Sequence, residues 1–184
     1  MPPPFLLHLM NTGLGPFYDG LAHFFTTPED VLPVIALSLF AGLRGPAGGR
    51  TALFTLPAAW LAGSVAGRLF APHWIWPVAS AVLTIALGIL AAADRPLPPA
   101  AVGALAVLLG LWNGSWNGIE IARARAPLVG NAIGAACAVF AVVALVAALA
   151  AAVRAPWARI AVRVGGSWIG AAGLFMLGWA LRPA

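Results

Sequence analysis

The sequence predicts an all-α, polytopic integral membrane helix bundle: about six transmembrane helices, preceded by a short N-terminal interfacial or re-entrant helix. Three observations predict it. Of 184 residues, 62% are hydrophobic and 8% charged, against about 25% charged in soluble domains, so too little polar surface exists to coat a water-exposed core. The mean hydropathy is +0.96. The apolar residues fall into runs of membrane-spanning length whose ends are marked by arginine, proline and glycine. Residues 1–184 read as a single transmembrane domain, with an N-terminal interfacial segment over 1–28 and the bundle over 29–184.

Residues 5–27 are interrupted by Asn11, Gly13, Gly15, Pro16, Asp19 and His23. A short helix over Phe17 to Phe25 is expected there, lying in the interface or dipping part-way in. Met1-Pro2-Pro3-Pro4 lacks the basic n-region and cleavage site of a signal peptide, so this segment is expected to stay on the chain. Thr26-Thr27-Pro28-Glu29-Asp30 reads as a helix start: threonine caps, proline takes the first turn, and two acids face the positive end of the dipole. The first span then runs from Glu29 to Leu43 and stops at Arg44-Gly45-Pro46. The second runs from Arg50 to Phe70, with Gly63 and Gly67 at the spacing that lets helices approach closely. Pro72-His73-Trp74 makes an interfacial link in which His73 suits an aromatic belt.

The third span covers Ile75 to Ala93 and ends at Asp94-Arg95-Pro96. The fourth covers Pro99 to Ala122, the fifth Pro127 to Val153 with Gly130 and Gly134, the sixth Arg159 to Leu181 with Gly166 and Gly170. The ten basic residues are all arginine; they lie where headgroups lie and form no nucleic-acid-binding cluster. The lone Cys137 excludes an intrachain disulfide.

Within the fourth run stands Trp112-Asn113-Gly114-Ser115-Trp116-Asn117-Gly118-Ile119-Glu120. On a helix, Asn113, Asn117 and Glu120 (i, i+4, i+7) share one face over roughly 10 Å of axis. A carboxylate at membrane depth costs ~2.5–3.5 kcal/mol even on the lenient insertion scale, which favours a use for it. The plainer reading is a helix end whose glutamate reaches headgroups. Two Asn-Gly pairs are also a turn signal, so the helix is expected to loosen here. If the first span enters from one side of the membrane, here called side Y, six alternating spans put His23, Glu29, Asp30, Asn113, Asn117, Glu120 and Asn131 in the same half. Arginines number five on the opposite side X (Arg44, Arg50, Arg95, Arg154, Arg159) and four on side Y (Arg68, Arg123, Arg125, Arg182). That margin of one favours side Y, and both termini with it, as outside.

These residues resemble the HupE/UreJ family, small polytopic membrane proteins of hydrogenase and urease maturation regarded as nickel permeases. The family motif H-P-x-x-G-x-D-H aligns with His23-Phe24-Phe25-Thr26-Thr27-Pro28-Glu29-Asp30. Its second motif, H-G-x-x-H-G-x-E, aligns with Asn113 to Glu120, keeping both glycines and the glutamate while asparagine replaces both histidines. The resemblance implies a bacterial inner-membrane permease for nickel or a related divalent metal, with His23, Glu29, Asp30 and Glu120 as ligands. Asn113, Asn117, Asn131 and Asp19 are expected to line the path, Asp19 by orienting the His23 ring one turn away. Losing three histidines weakens nickel in particular, because oxygen donors suit harder ions.

Two other functions stay open: a channel for a small neutral polar solute, and a non-transporting membrane subunit or assembly factor. In the second, the glycine-rich faces would seat a partner or another copy. An enzyme is not expected. No serine, and not the lone cysteine, has a base at recognisable spacing, and no H-E-x-x-H cluster occurs, so no catalytic residue and no covalent cofactor is assigned.

Overall fold

The computed structural model describes residues 11–70 and 77–182, and these form seven helices with no strand among them. They are α1 (Pro16–Thr26), α2 (Pro28–Leu43), α3 (Gly45–Phe70), α4 (Pro77–Ala93), α5 (Pro99–Arg123), α6 (Leu128–Ala152) and α7 (Pro156–Ala180). Four of them, α3, α5, α6 and α7, are long and apolar enough to cross a membrane. α1 and α2 meet that standard as a pair bent by 75°, and α4 is a shorter apolar helix of 17 residues. The protein is an integral membrane protein. The Pro72-His73-Trp74 link, the Ile75 start of the third span and the first ten residues lie outside the described residues.

Glycine sets which helices touch. Gly63 and Gly67 of α3 and Gly110, Gly114 and Gly118 of α5 face each other, so closely that a Cβ on Gly114 or Gly118 would overlap the carbonyl of Trp60 or Ser64. Backbones in direct contact are how helices gain dispersion energy where lipid is as apolar as leucine. Here the sequence expectation needs correction. The Asn-Gly pairs do not loosen α5, which continues to Arg123. Those glycines answer to the neighbouring backbone, not to a turn of their own. Gly130 and Gly134 likewise seat α6 on Pro16 and Phe17 of α1, and Gly166 seats α7 on Gly88 and Ala91 of α4.

The registers give helix directions. Contacts of α3 with α5 advance together from Leu56–Gly110 to Ser64–Gly118, so these helices run parallel. Contacts of α4 with α7 run in opposite senses, from Gly88–Gly166 to Ile85–Gly173. Both directions are those that six alternating crossings by α2 to α7 would give.

α2 occupies the centre and touches every other helix. Its Val34, Leu37, Phe40 and Ala41 are fully buried, packed in one cluster with Leu56, Trp60, Leu109 and Val139. The corners beside it carry a second correction. Thr27 precedes α2 but makes no side-chain cap; its hydroxyl donates to the His23 carbonyl at 2.8 Å, and Thr26 donates to Ala22 and His23. The last carbonyls of α1 lack helical partners, and the nearby hydroxyls satisfy them instead. At the far corner Gly45 takes a φ of +80°, open to glycine at no steric cost. This starts α3 five residues before the expected Arg50.

Candidate functional site

The polar face of α5 meets three different helices. Asn113, 2% exposed, turns toward α2: its Nδ2 donates to the Glu29 carbonyl at 3.0 Å and to Asp30 Oδ1 at 3.1 Å. Asn117, one turn on, turns toward α3, where Ser64 Oγ donates to its Oδ1 at 3.3 Å. Glu120 turns toward α1, with Oε2 2.7 Å from His23 Nε2. The helical phase of Asn113, Asn117 and Glu120 therefore becomes a three-way junction. Gly114 and Gly118 lie between them on the α3 seam, letting these side chains sit so close to neighbouring backbone.

His23 and Asp30 reach the junction from the two arms of the α1–α2 bend. Both are buried, at 4% and 6% exposure. A carboxylate only accepts, so a contact between Nε2 and Oε2 needs a proton held between them. The glutamate side chain is 38% exposed and the imidazole 5%, so the pair spans the boundary between protein interior and outside. Next to His23 in α1, the buried Phe24 packs edge-to-face on the buried Trp60 of α3, ring centres 5.8 Å apart.

The remaining expected residues lie around this centre. Glu29 is exposed and contributes its backbone carbonyl, not its carboxylate, to Asn113. Asp19 accepts from the Thr12 amide and hydroxyl, both at 2.7 Å, and so ties the segment before α1 onto that helix. Asn131 is buried against Gly20 of α1; its Nδ2 donates to the Pro127 carbonyl at 2.9 Å, while its Oδ1 has no partner. Asn113 Oδ1 and Trp60 Nε1 are also buried without partners. Among the described residues, no three side chains of His, Cys, Asp or Glu are gathered closely enough to hold a metal ion.

Sequence reasoning missed Ser64 and Trp60. Ser64 follows Gly63 on the close-approach face of α3, and that position marks it in retrospect as a neighbour of α5. Trp60 carried no signal beyond its aromaticity.

A family model described as HupE / UreJ protein matches residues 1–176. The chain belongs to the HupE/UreJ family. No curated protein and no solved structure matches it. HupE/UreJ proteins are accessory membrane proteins regarded as nickel transporters, so membership supports a metal-transport role at the level of the family. In this HupE/UreJ protein the stretches His23 to Asp30 and Asn113 to Glu120 fall on the α1–α2 bend and the end of α5, the segments that meet in the junction.

Proposed function

We propose that this HupE/UreJ protein is a permease of the bacterial inner membrane that moves a divalent metal cation, nickel or a related transition metal. The cargo enters from side Y, taken as outside, through the polar junction in that half of the bilayer. The observation that carries this reading is the buried His23 imidazole 2.7 Å from the Glu120 carboxylate. A divalent ion taking the place of the proton between them gains one nitrogen and one oxygen donor, and the proton leaves as it binds. Asp30, released from Asn113, supplies a further oxygen if α1 and α2 adjust at their bend; Glu29 is exposed at the rim, and Asn117 is buried against Ser64. The ligand set then assembles only as the ion arrives, as suits a site that must also let go.

A second reading has an observation of its own. Asn113 Oδ1 and Asn131 Oδ1 are buried acceptors without donors, which suits a small neutral solute bearing N–H or O–H groups. Thermal unfolding of the purified protein against nickel, cobalt, zinc, manganese and magnesium separates the two. A bound ion at 100 times its dissociation constant adds about 2.7 kcal/mol of stability. The permease reading expects a selective rise in melting temperature that His23→Ala and Glu120→Gln both abolish. No response to any metal overturns it.

A further inference from the structure

On side X, opposite the junction, one carboxylate ties three helix ends. Asp94, just past α4, takes a φ of +51° and accepts from Arg159 Nε at 2.6 Å and Nη2 at 3.1 Å, and also from Arg44 Nη2. Arg44 ends α2 and Arg159 begins α7. The Arg44 and Asp94 side chains are only 7% and 11% exposed. Arg44 Nη1 also donates to the Arg95 carbonyl at 2.7 Å, and Arg163 Nε to the Ala92 carbonyl at 2.7 Å. A carboxylate at a helix C-terminus faces the negative end of the dipole, so Asp94 is held there by its arginines and not by its own helix.

The rest of the packing gives this cluster a mechanical meaning. α4 and α7 form a tight pair along the Gly88–Gly166 seam, and they meet the remaining helices almost entirely through α2. Near side Y, Trp112 Nε1 of α5 donates to Ser80 Oγ of α4 at 3.0 Å, a single neutral hydrogen bond. At side X the tie is ionic and doubled. Between the cluster and the junction α2 buries Val34, Leu37, Phe40 and Ala41, with Ser38 among them bonded back to the Val34 carbonyl. Cargo leaving toward side X has to part that packing.

We infer that Asp94, Arg44 and Arg159 form an ionic latch, and that the α4–α7 pair swings away from α2 at this end to open the site toward side X. The inference rests on the permease reading. Gly45 and Asp94, both at positive φ, stand at the two corners nearest the movement. The charges lie at the membrane surface, where water and headgroups receive them as the latch opens. Rigid-body rocking of one packed unit against another is the motion such a division of contacts supports.

The test uses full-length protein in sealed vesicles, with Cys137→Ser removing the native thiol and Ala41→Cys as a buried reporter one turn above the latch. With the latch intact, a membrane-impermeant maleimide labels the reporter slowly from either side. Asp94→Asn is expected to raise labelling from side X by roughly tenfold or more and to leave labelling from side Y unchanged. Arg159→Gln, which keeps the Arg44 contact, is expected to give a smaller increase and serves if Asp94→Asn does not fold. Unchanged labelling in both variants, or equal increases from both sides, overturns the latch. Absent metal uptake by the unmodified protein would overturn the permease reading instead, and the labelling pattern would stand apart from that result.

Discussion

Glu120, on the last turn of α5, lies 2.7 Å from His23 on α1 although 97 positions separate them in the chain (120 − 23). The pair joins a buried ring to a part-exposed carboxylate. Glu120→Gln preserves shape and can still accept from Nε2, but it removes the negative charge a cation needs. Metal uptake into proteoliposomes is expected to fall at least tenfold while the melting temperature stays within a few degrees of the unmodified protein. Uptake at the unmodified rate would remove Glu120 from the transport path.

Asn113 holds α5 to α2 with both hydrogens of its amide, one on Glu29 and one on Asp30. Asn113→Leu keeps the volume and leaves a buried carboxylate without that donor, at about 1–3 kcal/mol, and a part-buried carbonyl, at less. Asn117→Leu removes one acceptor from Ser64, whose hydroxyl still has the Trp60 carbonyl at 2.9 Å. Thermal unfolding is therefore expected to rank Asn113→Leu well below Asn117→Leu. Equal losses would show that the Asp30 contact is not what holds the two helices.

Helix ends were legible in this sequence because prolines, arginines and Gly45 act on their own few residues. The face shared by Asn113, Asn117 and Glu120 was legible for the same reason, since helical phase is local. What each of them touches was not. Ser64 beside Asn117, Asp94 between Arg44 and Arg159, and Thr27 turned back onto α1 all depend on which helices become neighbours. The Asn-Gly pairs show the difference most clearly. Read locally they announce a turn, whereas in the bundle Gly114 and Gly118 are the flat side of an unbroken helix.

That difference can be measured. A methyl added at Gly118 meets the Ser64 carbonyl and at Gly114 the Trp60 carbonyl, both backbone atoms that cannot rotate away. Gly114→Ala and Gly118→Ala are each expected to destabilise the protein by about 1–3 kcal/mol or more, the range for overpacking. Gly178→Ala, with nothing within 4 Å of the added carbon, is the control and is expected to be neutral or slightly stabilising through helix propensity. Tolerance of all three would mean that α3 and α5 do not touch as described.

The shortest apolar helix after α2 carries the last prediction. At 1.5 Å per residue, the 17 residues of α4 extend about 26 Å, a little less than the roughly 30 Å hydrocarbon core. Length alone leaves its crossing open, and the parallel α3–α5 seam argues for it. Parallel helices enter from the same side, so the chain leaving α3 at Phe70 has to return across the membrane before α5 begins at Pro99. The segment that carries it back contains α4. Single cysteines placed in the Cys137→Ser background at Arg68 and Arg125 are therefore expected to react with an impermeant reagent from one side, and those at Arg95 and Arg154 from the other. Labelling of Arg68→Cys and Arg95→Cys from the same side would break the parallel seam, and with it the meeting of His23, Asp30 and Glu120 in one half of the bilayer.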